Sequence, residues 1–193
     1  MNSNMNSIET TEVISDLHPL IKNRWSPRSF SERPIEPEQM HSLLEAARWA
    51  PSANNEQPWL YAYAIRGTER FKAFWECLMP GNQPWASNAA VLFVSAYRKT
   101  FQKNGKANPW AMHDVGLANA QLLLQALDRD IYGHMMAGFN KEMIAAYLHL
   151  DEDVDPLCMG ALGYLGEPES LEEPYLTRET AVRVRKSLEE III

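Results

Sequence analysis

The sequence is poor in cysteine, with 2 Cys among 193 residues. It contains no CxxC pair and no His/Cys cluster with the spacing of zinc ligands. These absences exclude a disulfide-stapled scaffold and a zinc module. Cys77 and Cys158 each lie among apolar residues, so we predict buried free thiols, which are typical of a reducing compartment.

Several nucleotide-binding and catalytic motifs are also missing. The chain has no GxGxxG, no GxxxxGK[ST] and no GxSxG. The glycines of residues 160–166 are spaced as GxxGxxG with no helix directly after them, which indicates a close-packed strand rather than a dinucleotide motif. The net charge of −7 argues against nucleic acid as a partner, because no excess of Lys and Arg exists to neutralise phosphates.

Long hydrophobic runs are absent as well. No apolar stretch approaches the roughly 20 residues that span a bilayer. The first residues are polar, without a basic stretch followed by an apolar core. We therefore expect neither a membrane segment nor a signal peptide, and predict a cytoplasmic protein.

The composition is that of a folded protein, since 46% of the residues are hydrophobic and 22% are charged. Hydrophobic periodicity predicts one α+β domain over residues 1–193, with a flexible terminus at 1–10. The predicted helices cover residues 13–23, 37–50, 68–78 and 110–127, with a further one capped by Asn140. The predicted strands cover residues 59–65, 89–97 and 158–165, and the predicted loops include 99–109 and 133–140.

Burial is predicted from the same pattern. Residues 110–127 are apolar on every side, which favours a helix at a subunit interface. The helix after Asn140 is predicted to bury four residues, namely Met143, Ala146, Tyr147 and Leu150. Four tryptophans are expected in the core, namely Trp49, Trp59, Trp85 and Trp110.

Three polar segments stand out as candidates for ligand binding. Residues 24–30 (RWSPRSF) interleave two guanidiniums with two hydroxyls, groups that match phosphate oxygens. Residues 51–59 (PSANNEQPW) place side-chain amides between two prolines, where they can donate and accept. Residues 183–186 (RVRK) are a basic cluster in an acidic chain. Each segment alone would be a turn or a solvated face, but their joint occurrence weakens that interpretation.

Together these segments resemble the FMN-dependent nitroreductase family. The resemblance rests on Arg24, Ser26, Arg28 and Phe30 as RxSxRxF, and on the PSAxNxQPW pattern of residues 51–59. Looser matches are Ala137-Gly138 before a helix, residues 163–168 and the Arg183/Arg185 pair. The resemblance runs from about Leu20 to the C-terminus. It implies a nitroreductase-like fold, with a mixed or antiparallel central sheet flanked by helices, in an intertwined homodimer.

The resemblance also implies roles for individual residues. Arg24 and Ser26, completed by Arg183 and Arg185, would contact the FMN phosphate, and Arg28 would lie near the flavin N1/O2 edge, where negative charge accumulates on reduction. Ser52, Ala53 and Asn55 would reach the flavin from the partner subunit. The backbone amides of Ala137 and Gly138 would face N5 and O4. The full set of implied cofactor-binding residues is Arg24, Trp25, Ser26, Arg28, Ser52, Ala53, Asn55, Gln57, Met136, Ala137, Gly138, Arg183 and Arg185.

The chain departs from the family pattern in several places. Trp25 stands where many members carry a second basic residue, and Ala137 where the position is often acidic. The chain is also shorter than many relatives, so the loops at 80–87 and 99–109 would shape the pocket. His134 and Met136 lie in the 133–140 loop, beside the residues expected to face N5, and are candidates for substrate contact.

The expected activity is reduction of an electron-poor acceptor (a nitroaromatic, a quinone or an activated alkene) by NADH or NADPH through FMN in a ping-pong reaction. No side chain is assigned as an acid or base, and no metal is expected. Two alternatives stay open: a flavoenzyme of the same fold acting on a specific metabolite, and a flavin-binding protein without turnover.

Overall fold

The computed structural model describes residues 16–193. The predicted flexible terminus and the first part of the predicted helix at 13–23 lie outside these residues. The chain forms seven described α-helices: α1 Pro19–Asn23, α2 Pro37–Arg48, α3 Glu69–Glu76, α4 Gln83–Ala86, α5 Ala111–Leu127, α6 Lys141–Tyr147 and α7 Tyr175–Thr180. Its four described strands are β1 Trp59–Ile65, β2 Val91–Arg98, β3 Tyr132–Met136 and β4 Val154–Gly163. Short 3₁₀ helices lie at Ala53–Asn55 and Pro168–Ser170.

The strands form one sheet in the order β1-β2-β4-β3, and every neighbouring pair is antiparallel. β2 and β4 are therefore central, whereas β1 and β3 are the two edges. The register is continuous across one level of the sheet, where Ala64 pairs with Leu92, Leu92 with Ala161 and Ala161 with His134. The prediction of an α+β fold with an antiparallel sheet is confirmed.

Two hydrophobic clusters cover the two faces of the sheet. Alternate residues of β2 contribute to the two clusters. Leu92 and Val94 belong to the first cluster, whereas Val91 and Phe93 belong to the second. The first cluster contains side chains of α3, α4 and α6, and the second contains those of α2 and α5. Burial on both faces explains why residues 89–97 are nearly all apolar, as predicted for a central strand.

Helix α5 packs on α2 and on the sheet. It buries Val115, Ala118 and Leu122, but Met112 is 53% exposed and Ala120 is also exposed. The described part of the chain thus covers only one side of a helix that is apolar all round. The exposed side is consistent with the predicted interface, which stays a prediction.

Some predictions were wrong. Residues 132–136, mostly assigned to a loop, form β3. The glycine there is required by packing, since a Cβ on Gly133 would lie 2.3 Å from Leu123 Cδ2. Helix α6 buries Ile144, whereas Met143 and Tyr147 are each 43% exposed and Ala146 is also exposed. The apolar stripe was thus misassigned by about one residue.

The prediction for the tryptophans holds only in part. Trp85 is buried and Trp59 partly so, but Trp49 is 73% exposed and Trp110 is 57% exposed. Trp49 follows the last turn of α2 and Trp110 precedes α5, so both lie at helix ends beyond the packed face.

Within residues 16–193, no helix combines the length and the apolar character needed to cross a bilayer.

Candidate functional site

The loop that carries Arg24, Ser26 and Arg28 is fastened to the end of β4. Phe30 forms a bridge with Leu165, and the Ser31 N–H donates to the Tyr164 carbonyl at 2.9 Å. The Ser29 hydroxyl donates to the Glu167 carbonyl at 2.7 Å. Residues 163–168, which looked like a loose family motif in the sequence, thus support this loop.

Arg183 meets Arg24 although 159 residues separate them in sequence. Arg183 Nη1 donates to the Arg24 carbonyl at 2.6 Å, and its Nη2 donates to the Lys22 carbonyl. The guanidinium therefore holds the C-terminal end of α1 and the start of the loop together. The structure brings together the first and third polar segments, as the phosphate-binding hypothesis requires.

This contact concentrates positive charge. Burial lowers the pKa of Arg24, and the neighbouring Arg185 and Arg183 guanidiniums lower it further. No carboxylate within residues 16–193 forms an ion pair with Arg24, whose Nη1 instead donates to Ser26 Oγ at 3.3 Å. Like charges placed close together repel one another, so the cluster favours an anionic ligand.

Arg28 lies on the same loop. Its Cζ is 5.9 Å from the centroid of the Trp85 ring, and Trp85 is only 1% exposed. Burial lowers the pKa of Arg28, while the nearby Glu179 carboxylate opposes that effect. The aromatic face and the carboxylate together restrict where this guanidinium can lie.

His134, on β3, fastens the loop from the side of the sheet. Its Nδ1 lies 3.0 Å from the Pro27 carbonyl, so Nδ1 carries the proton and donates. Its ring packs on Trp85 with centroids 4.5 Å apart. Burial lowers the pKa of His134 to about 4, and the charges of Arg28 and Arg24 act in the same direction. The imidazole is therefore neutral at ordinary pH and anchors the loop.

The Ala137-Gly138 turn follows β3 directly. The Gly138 carbonyl accepts from the Met79 N–H and from Asn82 Nδ2, each at 3.0 Å. Within residues 16–193, the N–H groups of Ala137 and Gly138 donate no hydrogen bond. A Cβ on Gly138 would lie 3.0 Å from Asn82 Nδ2, so the small residue permits the close approach. The turn is rigidly held, and its amides are available to an acceptor.

The second polar segment is shaped by its own hydrogen bonds. Ser52 Oγ accepts from the Gln57 N–H at 3.0 Å, and Gln57 Nε2 donates to the Asn55 carbonyl at 3.1 Å. The Ala53 N–H donates to the buried Asp114 at 3.0 Å, which ties the segment to the start of α5. Asn54, Asn55 and Gln57 have φ values between 52° and 56°, and the two asparagines suit that conformation. Asn55 and Gln57 are exposed.

This second segment lies far from the arginine cluster within one chain. It precedes Trp59 on edge strand β1, whereas Pro27 contacts His134 on the opposite edge strand β3. Three interstrand spacings and five residues along the strand separate Trp59 from the level of His134, or roughly 20 Å. The two segments do not share a cleft in a single chain.

Two further candidates have constrained side chains. Trp25 is half-buried and packs edge-on to Tyr132 with centroids 6.4 Å apart. The Met136 side chain is 3% exposed and belongs to the core, so a ligand could reach this residue only through its backbone.

Sequence reasoning missed the residues that hold the site. Glu179 and Asn82 were not singled out, and His134 was considered only for substrate contact. Glu179 and Asn82 lie 151 and 56 residues from their partners, so no local pattern reveals the contacts. Asp114 lies in the first turn of α5, where a carboxylate is favourable, and it also accepts from the Ala53 N–H.

Comparisons with known proteins agree with this geometry. The model of the nitroreductase family matches residues 21–164. An uncharacterised 15.4 kDa protein of Mycolicibacterium smegmatis is 31% identical over 123 residues, which are 64% of this chain and 81% of that protein. A nitrobenzene nitroreductase of Ectopseudomonas oleovorans is 39% identical over 61 residues, which are 32% of this chain and 25% of that protein.

Solved structures give the same result. The crystal structure of an oxidoreductase containing FMN is 32% identical, with a TM-score of 0.89, and the alignment covers 94% of this chain and 93% of that one. A family match over most of the chain and a structural likeness over nearly all of it lead to one assignment. The chain belongs to the nitroreductase family.

Proposed function

We propose that this oxidoreductase of the nitroreductase family binds FMN and uses NADH or NADPH to reduce an electron-poor small molecule, such as a nitroaromatic, a quinone or an activated alkene. The observation that carries the proposal is the meeting of the partly buried Arg24 and Arg183 beside Arg185. A phosphate group carries the opposite charge and accepts hydrogen bonds from guanidinium donors.

The donors present fit FMN. Arg24, Ser26 and Arg185 would hold the phosphate, while Arg183 would contribute charge and keep the loop in place through its bonds to backbone carbonyls. Arg28 would offer a fixed cation to the electron-rich edge of the ring. When bound, FMN would supply two-electron chemistry, taking a hydride from the nicotinamide and passing it to the acceptor.

The chain's own residues complete the expected site without a side-chain acid or base. The N–H groups of Ala137 and Gly138 would donate to the flavin ring from a turn that Asn82 holds rigid. His134, neutral over the physiological range, would keep the Arg24–Arg28 loop in place without adding a titrating charge. Positioning and electrostatics, rather than proton transfer by a side chain, are thus the protein's contribution.

A second copy of the chain would complete each site. Because Ser52, Ala53 and Asn55 precede β1, at the opposite edge of the sheet from the strand that contacts the Arg24–Arg28 loop, they would approach the flavin of the partner in a homodimer. The exposed side of α5, which carries Met112 and Ala120, would form part of that interface. Each dimer would then contain two FMN sites at its subunit interface.

The test is spectroscopic. Purified protein, as isolated or after incubation with FMN, should show the visible absorption of a bound flavin, and anaerobic NADH or NADPH should bleach it. A nitroaromatic, a quinone or an activated alkene should then restore the colour. Protein that stays colourless after FMN addition would refute the proposal. Bleaching without turnover of any of these acceptors would favour a specific metabolite, and flavin that neither nucleotide bleaches would favour a binding protein.

A further inference from the structure

Glu179, on α7, is a buried carboxylate bound to the backbone of the arginine loop. It is 4% exposed, its Oε2 accepts from the Arg28 N–H at 2.7 Å, and its Oε1 accepts from the Ser29 N–H at 2.9 Å. No Lys, Arg or His of the described chain forms an ion pair with it. Burying a carboxylate is costly, and here two backbone donors offset that cost.

These two bonds fix the orientation of consecutive peptides. Each carboxylate oxygen takes one N–H, so the backbone at Arg28 and Ser29 cannot rotate without losing a charge-assisted bond. That backbone orientation decides where the Arg28 side chain starts, and the ring of Trp85 limits where it ends. Glu179 therefore acts on the Arg28 guanidinium through the main chain.

The same C-terminal segment, residues 179–183, also binds the Arg24–Arg28 loop at a second point. Four residues after Glu179, Arg183 donates to the Arg24 carbonyl. The loop is thus held by an acceptor near one end and a donor near the other, both from residues 179–183. We propose that Glu179 is a positioning residue that keeps Arg28 in register with the flavin edge. The proposal rests on the proposed FMN function.

The direction in which the flavin midpoint potential shifts distinguishes a positioning role of Glu179 from a purely electrostatic one. Removing the negative charge of Glu179 would by itself favour the electron-rich reduced ring and raise the flavin midpoint potential. Displacing Arg28 would withdraw a cation from that ring and lower the potential. We expect Glu179→Gln to lower the midpoint potential by at least half the shift that Arg28→Ala produces. A glutamine keeps one acceptor but turns an NH₂ toward the second N–H.

Two further variants make the experiment decisive. Glu179→Asp keeps the charge but shortens the reach, so it should also lower the potential, and it replaces Glu179→Gln if that variant fails to fold. Glu172→Gln is the matched control, because Glu172 is exposed on the same segment and its side chain forms no hydrogen bond within residues 16–193. It should leave the potential unchanged.

Amide hydrogen exchange on flavin-free protein tests the contact without the cofactor. The N–H groups of Arg28 and Ser29 should exchange at least about tenfold faster in Glu179→Gln than in the wild type or in Glu172→Gln. A raised or unchanged potential in Glu179→Gln, or unchanged exchange at both amides, would overturn the positioning role. If the wild type binds no FMN, the proposed function fails, and the exchange data still decide whether Glu179 holds the loop.

Discussion

The neutral, partly buried His134 predicts a specific loss of stability in mild acid. Its pKa in the folded chain is about 4, against an ordinary value of 6.5, chiefly because of burial. The folded state therefore prefers the neutral imidazole more strongly than the unfolded chain does. The resulting stability is fully present above pH 6.5 and is lost as the pH falls through that value toward about 4.

The magnitude follows from these two values. Between about pH 7 and pH 5 the unfolded chain takes up nearly one proton at this site and the folded chain almost none, so the free energy of unfolding should fall by about 2 kcal/mol. Protonation would also leave two N–H donors on a ring that faces Arg24 and Arg28, which oppose its charge. The hydrogen bond from Nδ1 to the Pro27 carbonyl is kept on protonation, so the loss of stability comes from placing a charge in a partly buried site near two guanidiniums.

The assay is urea unfolding followed by tryptophan fluorescence at several pH values, for the wild type and His134→Gln side by side. The variant should be about 1 kcal/mol less stable at pH 7, because it loses the anchoring bond and ring packing. The two stability curves should approach and then cross as the pH falls from 7 to 5, because only the wild type loses about 2 kcal/mol through protonation of this imidazole. His41→Gln, which removes an exposed imidazole on α2, is the control. Parallel curves from pH 7 to pH 5 would refute the argument.

Three further predictions concern the candidate site. Arg28→Ala should lower the flavin potential more than it weakens FMN binding, whereas Arg183→Ala should mainly weaken binding. Redox titration and FMN affinity measurements on both variants test this difference. Equal effects on the potential and on the affinity in both variants would contradict the prediction. Asn82→Ala should remove one of the two hydrogen bonds to the Gly138 carbonyl and slow flavin reduction by NAD(P)H about tenfold with little loss of stability. Stopped-flow absorbance measures this rate, and an unchanged rate would count against the role of Asn82 in holding the turn. Ala120→Arg, on the exposed side of α5, should convert a dimer to a monomer in light scattering while the circular dichroism spectrum is kept.

The elements that sequence reasoning located correctly are those whose signal is local. The apolar run of β2 and the capping residues Thr68 and Asn140 each determine structure over a few neighbours, and the structure confirms them. β3 was missed because Gly133 and the methionines after it are weak strand formers. The strand exists because β4 offers an unpaired edge, which no local pattern reveals.

The candidate site shows the same difference between local signals, which the sequence reveals, and long-range contacts, which it does not. The residue types of the three polar segments were sufficient to suggest an anionic ligand, and the flavin was implied by their resemblance to a known family. Which groups would hold them in place could not be inferred, because Glu179 and His134 bond to backbone atoms that every residue carries. Because any residue can supply a backbone acceptor or donor, the sequence does not reveal such a hydrogen bond.

The sequence by itself therefore determined the chemistry of this protein: the alternation that makes a central strand, the helix starts, and the cationic and amide groups available to a ligand. Only the tertiary structure decided that Arg183 closes on Arg24 and that residues 52–57 lie at the opposite edge of the sheet. The physical reason is that composition and periodicity act over neighbouring residues. The meeting of the chain's distant parts depends on strand order and on hydrogen bonds between groups more than 100 residues apart.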